Sequence, residues 1–240
     1  MAVSCIVYDL DGTLIDSAPD IQAAVNRVRA GYDLEPVPLE HIKAFIGDGA
    51  KRLLERAVLG LVEDRSLRPP RCLPRTYTDM GELLFKFEGE YSMDPVVETR
   101  LYKGVQEALV HWNSLGVAQV VLTNKPHHVA VRVMKDLGVS SLVDLIVGRG
   151  ATDDQGQAVP PKPDPACIDY ILDETGAPRD EVWMVGDGLP DIETAKAADI
   201  PIVVILGGYA DPEALVANAP NLDRCVTDFA AADALLRANL

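Results

Sequence analysis

The chain has 240 residues, of which 48% are hydrophobic, so it can bury a sizeable core and can hold more than one domain. Its formal net charge of −15 argues against general affinity for nucleic acid or for an anionic membrane surface. No apolar run approaches the ~20 residues of a membrane span, and no basic segment precedes the first apolar run. The four cysteines are widely separated, so we expect a cytoplasmic protein with reduced thiols and without a signal peptide, a membrane anchor or a zinc motif.

Five short apolar runs are predicted as β-strands because they have the length of buried strands and end in turn residues. In chain order they cover residues 3–8, 117–123, 142–148, 181–187 and 200–206. From residue 117 onward they alternate with helical patterns at residues 127–138, 164–176, 190–200 and 211–219. This alternation indicates an α/β fold with a doubly wound parallel sheet, a Rossmann-like core.

The segment between the first two predicted strands departs from this alternation and contains helical patterns only. Its helical stretches read APDIQAAVNRVRAGY, LEHIKAFIG, GAKRLLERAVLG and TYTDMGELLFKFEGEYSM. A loop rich in proline and arginine joins the last two stretches. We therefore predict a helical cap domain at residues 16–98, inserted into a core formed by residues 1–15 and 99–240.

The carboxyl-terminal ends of the predicted strands, and the loops that follow them, carry a distinctive set of polar residues. In chain order these are Asp9, Asp11, Thr123, Asn124, Lys162, Asp187 and Asp191. Because the carboxyl ends of parallel strands meet at one edge of a sheet, where open α/β folds bind ligands, we expect these side chains to lie close together. Taken singly, each has an ordinary alternative: turn formation for the aspartates, helix capping for Thr123 and Asn124, and a solvated surface position for Lys162.

The two aspartates of the segment YDLDGT pose an electrostatic problem. Side chains alternate along a strand, so Asp9 and Asp11 are expected on the same face, where like charges disfavour joint ionisation. With Asp187 and Asp191 the edge holds four carboxylates against the single positive charge of Lys162. A hard divalent cation with oxygen ligands, such as Mg²⁺, is the expected compensation.

These motifs, in this order, resemble those of the haloacid dehalogenase superfamily of phosphohydrolases. The matching elements are DLDGT, Thr123, Lys162 and GDGLPD, and the helical insert resembles the mobile cap of this superfamily. Within the chain, FIGDGAKRLLERAV, LYKGVQEAL and VVLTNKP are most similar to phosphoglycolate phosphatases. The fourth motif departs from the common pattern at Gly188, where serine or threonine is expected, and at Pro190, but it keeps both carboxylates.

The resemblance implies a role for each aspartate. Asp9 would be the nucleophile that forms an aspartyl-phosphate, and Asp11 would be the general acid and base. The ligands of Mg²⁺ would be the Asp9 carboxylate, the Asp11 backbone carbonyl and Asp187. Asp191 would lie beside these ligands rather than on the metal.

The resemblance also implies how the substrate is held. Thr123 and the amide of Asn124 would bind the phosphoryl oxygens, and Lys162 would offset their charge. Since these groups contact only the phosphoryl end, we expect the cap to select the substrate, at the segment IGDGAKR with Lys51 or Arg52. The implied partner is a small phosphorylated metabolite, with 2-phosphoglycolate first, and the implied state is a monomer or a homodimer.

Two other functions remain open on the residues alone. A phosphatase or phosphomutase for a sugar phosphate or a nucleotide would use the same core motifs. A non-enzymatic phospho-acceptor domain of a signalling system would also phosphorylate an aspartate at a strand end. The helical insert argues against this second function, as does Asp11, which provides a route to rapid hydrolysis of a phosphorylated aspartate.

Overall fold

The computed structural model describes residues 3–239 and divides into two compact units. The first, called here the α/β unit, comprises the chain up to Asp16 and from Arg100 onward, and the second, the helical unit, is Ser17–Thr99. The two joins predicted from the sequence each lie one residue earlier than these. Among the described residues, no helix has both the length and the apolar character needed to cross a membrane.

The helical unit is built from amphipathic helices that pack on one another. They are α1 (Ala18–Ala30), α2 (Leu39–Phe45), α3 (Ala50–Ala57) and α4 (Met80–Met93). α1 packs against α2 and α4, and α3 also contacts both of these helices. Two charged residues of α1, Asp20 and Arg29, are buried inside the unit.

The α/β unit is organised around a parallel sheet. The strands of the chain are β1 (Cys5–Tyr8), β2 (Ile15–Asp16), β3 (Arg100–Leu101), β4 (Ala118–Pro126), β5 (Leu145–Arg149), β6 (Val182–Gly186), β7 (Ile202–Ile205) and β8 (Cys225–Val226). Six of them form one sheet in the order β5-β4-β1-β6-β7-β8, and all its pairs are parallel. The predicted fold class is thus confirmed.

Helices follow the strands of this sheet in alternation. They are α5 (Val105–Ser114), α6 (His127–Asp136), α7 (Ala166–Thr175), α8 (Leu189–Ala197), α9 (Pro212–Asn218) and α10 (Phe229–Arg237). The central strands β1, β6 and β7 are buried along their whole length, as expected for strands covered on both faces. In the ladder Tyr8 lies opposite both Val121 and Val185, so the ends of β1, β4 and β6 reach the same edge.

Two features of the α/β unit were not predicted. β8 is a two-residue strand that is only half-buried, and β2 and β3 form a separate antiparallel pair. Neither segment has the apolar length that identifies a buried strand in a sequence.

Candidate active site

Three carboxylates meet at the carboxyl ends of β1 and β6. Asp9 directly follows β1, where its backbone amide donates to the Val185 carbonyl at 2.9 Å. Asp187 directly follows β6, and Asp191 lies in the first turn of α8. All three residues are buried, and one oxygen of each lies within 4.8 Å of the others. The structure therefore brings these three predicted residues together.

Lys162 is the cation of this carboxylate cluster. It lies between β5 and α7, with its Nζ 2.8 Å from Asp9 Oδ1 and 2.6 Å from Asp191 Oδ1. Its side chain is 2% exposed, so the alternative of a solvated surface lysine is wrong. Burial alone would lower the pKa of Lys162, but the charges of Asp191 and Asp9 raise it above its ordinary value, and the group stays an ammonium.

Asp187 is held by two hydrogen bonds and enclosed by two glycines. Its Oδ1 accepts from the Thr13 hydroxyl at 2.7 Å, and its Oδ2 accepts from the Tyr209 backbone amide at 2.8 Å. A Cβ atom would lie 2.1 Å from Oδ2 if added at Gly12 and 2.2 Å if added at Gly208. Gly12 also has a φ of 92°, a conformation that other residues rarely adopt. Both close approaches therefore require glycine.

The departures in the fourth motif are explained by the helix that starts there. Gly188 is the N-cap residue of α8, and its backbone amide donates to Asp191 Oδ2 at 2.9 Å. This bond needs no side chain at position 188. Pro190 lies in the first turn of α8, where the missing amide of a proline removes no hydrogen bond within the helix.

The cluster is short of positive charge. Burial raises the pKa of Asp9 to about 7; Lys162 opposes this rise and Asp191 adds to it. Burial, and then the charges of Asp9 and Asp191, also raise the pKa of Asp187 well above its ordinary value. Three buried carboxylates with oxygens this close fit a hard divalent cation, which would relieve their repulsion at neutral pH.

Asp11 has a cation of its own, Lys125, which the sequence analysis did not single out. The Lys125 Nζ lies 2.7 Å from Oδ1 and 3.0 Å from Oδ2 of Asp11, and its side chain is 3% exposed. The available signal was proximity in the sequence: Lys125 lies in β4 only two positions after Thr123. With Lys125, the four aspartates face two ammonium groups, and the excess of two negative charges equals the charge of one divalent cation.

Thr123 and Asn124 lie inside β4 rather than after it, and both are buried. The Thr123 Oγ1 accepts from the Lys125 backbone amide at 3.1 Å, and this bond does not use the hydroxyl hydrogen. The helix-capping alternative for these two residues is wrong, because α6 begins at His127 and its N-cap residue is Pro126. The edge thus combines a buried carboxylate that can attack, a second carboxylate paired with a lysine, and donors suited to an anion.

Comparisons with known proteins match most of the chain. A family model described as haloacid dehalogenase-like hydrolase matches residues 3–199. The phosphoglycolate phosphatase of Cereibacter sphaeroides is 35% identical over 205 residues, which cover 85% of either chain. That of Colwellia psychrerythraea is 33% identical over 204 residues, covering 85% of this chain and 84% of the relative.

A solved structure is similar along nearly the full length. A predicted phosphoglycolate phosphatase from Haemophilus somnus superposes with a TM-score of 0.81 at 27% identity, and the match covers 98% of both chains. The range matched by the family model contains all seven residues that the sequence analysis selected. It excludes the loop after β7 that carries Gly208 and Tyr209.

Proposed function

The chain belongs to the haloacid dehalogenase-like hydrolase family, and we propose that it hydrolyses a small phosphate monoester, 2-phosphoglycolate, with Mg²⁺ and through an aspartyl-phosphate. The observation that carries this proposal is the buried Asp9, whose carboxylate lies among two further carboxylates and one lysine at the end of β1. The choice of substrate rests on relatives that are named phosphoglycolate phosphatases.

Asp9 is the nucleophile of the proposed reaction. Its carboxylate attacks phosphorus, the bond between phosphorus and the ester oxygen breaks, and the phosphoryl group remains on Asp9. The leaving oxygen takes a proton from the Asp11 carboxyl group. Asp11 then accepts a proton from the water that hydrolyses the aspartyl-phosphate, so both aspartates return to their initial states.

Three groups are proposed to hold the metal: the carboxylates of Asp9 and Asp187 and the backbone carbonyl of Asp11. Asp191 is assigned a supporting position, since its oxygens already accept from the Lys162 ammonium and the Gly188 amide. When bound, Mg²⁺ supplies the two positive charges that the site lacks and withdraws charge from the phosphoryl oxygens. Thr13 and the backbone of Tyr209 keep Asp187 in place for this role.

Thr123, Asn124 and Lys162 are proposed to bind the phosphoryl group. The Lys162 ammonium is 2.8 Å from Asp9 Oδ1, so it lies beside the carboxylate that receives the phosphoryl group. The Thr123 oxygen accepts from the Lys125 amide, which leaves its hydrogen to donate to a phosphoryl oxygen. Donors fixed in this way stabilise charge without having to reorganise during the reaction.

A phosphate-release assay tests the proposed activity. We expect 2-phosphoglycolate to have the highest kcat/KM in a panel with a hexose phosphate, a nucleoside monophosphate and p-nitrophenyl phosphate. EDTA should abolish turnover and Mg²⁺ should restore it. Stoichiometric phosphorylation without turnover would identify a phospho-acceptor domain instead, and a higher kcat/KM for another ester would reassign the substrate.

Trapping of the phosphorylated enzyme tests the covalent step. During turnover of 2-phosphoglycolate, borohydride should convert residue 9 into homoserine, because it reduces an acyl phosphate and leaves a free carboxylate unchanged. If residue 9 stays unreduced while turnover proceeds, water attacks the ester directly. Light scattering on the untreated protein should show a monomer or a homodimer.

A further inference from the structure

The two aspartates of DLDGT have different environments although they are two positions apart. The Asp9 carboxylate belongs to the buried cluster with Asp187 and Asp191, whereas the Asp11 carboxylate is not part of that cluster. Both oxygens of Asp11 are instead held by the Lys125 ammonium, at 2.7 Å and 3.0 Å. The side chain of Asp11 is 12% exposed and that of Lys125 is 3% exposed, so water screens this ion pair only weakly.

Lys125 is itself held firmly. It lies near the end of β4, in the irregular stretch between the pairs that Leu122 and Pro126 form with β5, and its side chain is buried. Its backbone amide donates to the Thr123 hydroxyl oxygen while its side chain holds Asp11. One residue therefore connects the second motif, which is proposed to bind the phosphoryl group, with the proposed general acid.

We infer that Lys125 is a positioning residue that holds the Asp11 carboxylate outside the metal cluster, in a fixed place for its proposed role in the reaction. This inference rests on the proposed function. A carboxylate near a divalent cation tends to become its ligand, and a liganded Asp11 could not deliver a proton. The ammonium opposes this by donating to both carboxylate oxygens, which holds the Asp11 side chain outside the cluster of Asp9, Asp187 and Asp191.

The dependence on the leaving group tests the inference. General acid catalysis typically contributes 10²–10⁴-fold, and it matters most when the leaving group is a poor one. Lys125→Met should therefore lower kcat/KM for 2-phosphoglycolate by about 10²-fold or more. The loss for p-nitrophenyl phosphate, whose leaving group needs no proton, should stay below about 10-fold. Lys125→Arg, which keeps the charge, should recover part of the loss, and Lys135→Met on the exposed face of α6 is the matched control.

A double-mutant cycle distinguishes positioning from a general structural role. In an Asp11→Asn background, Lys125→Met should cause little further loss on 2-phosphoglycolate, because the residue through which it acts is already disabled. Equal losses on both substrates, with full additivity in the cycle, would overturn the inference.

Thermal unfolding supplies a readout that needs no activity. Lys125→Met removes the ammonium beside a weakly solvated carboxylate, so its Tm should be lower than that of the Lys125→Met/Asp11→Asn double variant. In Lys125→Met the released Asp11 should also strengthen the stabilisation by Mg²⁺, and the double variant should lose this gain. An unchanged Mg²⁺ dependence of the Tm in Lys125→Met would contradict the part of the inference that concerns the metal.

The failure of this inference differs from the failure of the proposed function. A wild-type protein that releases no phosphate from any ester, or an active Asp9→Asn variant, would overturn both. An active wild type and an inactive Asp9→Asn variant, combined with a Lys125→Met variant that behaves like Lys135→Met, would overturn the role of Lys125 alone.

Discussion

The helical unit and the α/β unit both bury charged side chains, but their partners differ. In the helical unit, Asp20 accepts hydrogen bonds of 2.7–3.1 Å from the backbone amides of residues 97–99 and from the Thr99 hydroxyl. Arg29 is fully buried and donates to the backbone carbonyls of Glu35, Ala57 and Arg71. Neutral groups of the same unit thus satisfy both charges.

In the α/β unit, by contrast, charged groups are paired mainly with one another, and the pairing is unequal. Four aspartates face the two lysines Lys125 and Lys162. Ionising all four without a further cation is unfavourable, and the raised pKa of Asp9 is a sign of this. The comparison suggests a general distinction: a buried charge satisfied by backbone groups serves the fold, while an excess of one sign indicates a bound counter-charge.

The largest effect is expected for Asp9→Asn. The amide is a poor nucleophile, so turnover of 2-phosphoglycolate should fall by about 10⁴-fold or more. The free energy of unfolding without metal should not fall, because the substitution removes one negative charge from a cluster of three carboxylates that has a single ammonium. Steady-state kinetics and urea denaturation in EDTA measure the two quantities. A large loss of stability in EDTA would show that Asp9 serves the fold as Asp20 does.

Arg29→Met, in contrast to Asp9→Asn, should act mainly on the stability of the fold. It leaves three backbone carbonyls without their donor, each at a cost of about 1 kcal/mol or more, so the free energy of unfolding should fall by about 3 kcal/mol or more. Urea denaturation followed by circular dichroism measures this loss.

The matched control for this prediction lies on the same helix. Arg27 is exposed and pairs with Glu90, so Arg27→Met should cost less than about 1 kcal/mol. Similar losses for both arginines would mean that the backbone contacts of Arg29 contribute little.

The contribution of Asp20 should depend on pH. Burial alone would raise the pKa of Asp20, but the hydrogen bonds from Thr99 and from the backbone amides of residues 97–99 lower it below 3.8. A lowered pKa in the folded state stabilises the fold above the unfolded value and loses this effect as the pH falls through the folded value. Asp20→Asn should therefore cost about 2 kcal/mol at pH 7, and its difference from wild type should shrink below about pH 4.

Denaturation of wild type and variant at both pH values measures this difference. Asp79→Asn is the control, because Asp79 is an exposed N-cap residue of α4 and asparagine caps equally well. If Asp20→Asn lowers the free energy of unfolding equally at acid and at neutral pH, the hydrogen bonds do not act by stabilising the charge of Asp20.

The parts of the fold that could be predicted are those with a recognisable local sequence pattern. The central strands are short apolar runs followed by turn residues, and such runs are recognisable without knowledge of their neighbours. β8 consists of two half-buried residues that pair with β7, so its existence depends on a strand that precedes it by about twenty positions. Nothing in its own sequence indicates a strand.

The same limit applies to the candidate site. Asp9 and Asp187 are conspicuous because an acidic residue directly after a buried strand is unusual in a core. Lys125 and Tyr209 resemble ordinary residues in the sequence, since their importance comes from contacts across the fold. Lys125 holds Asp11, which is 114 positions away, and Tyr209 donates to Asp187 from the next strand's loop. Such contacts are properties of the tertiary structure rather than of a motif.

The smallest expected effect concerns the choice of substrate by the helical unit. Two adjacent basic residues of this unit differ in whether they form ion pairs. α3 begins directly after Gly49, and both Lys51 and Arg52 lie in its first turn. Arg52 is paired with Glu55 at 3.1 Å and with Glu63 at 2.7 Å. Lys51 is exposed and, within residues 3–239, forms no ion pair. Its charge is therefore the one that remains available to an anion.

We expect Lys51→Ala to lower kcat/KM for 2-phosphoglycolate by about 10-fold, the loss of one charge-assisted hydrogen bond to the carboxylate. Arg52→Ala should have a smaller effect, because its guanidinium already has two partners. Neither variant should change kcat/KM for p-nitrophenyl phosphate, which carries no carboxylate and needs only the groups of the α/β unit. Equal losses on the two substrates, or a larger loss for Arg52→Ala, would assign recognition of the carboxylate to other residues.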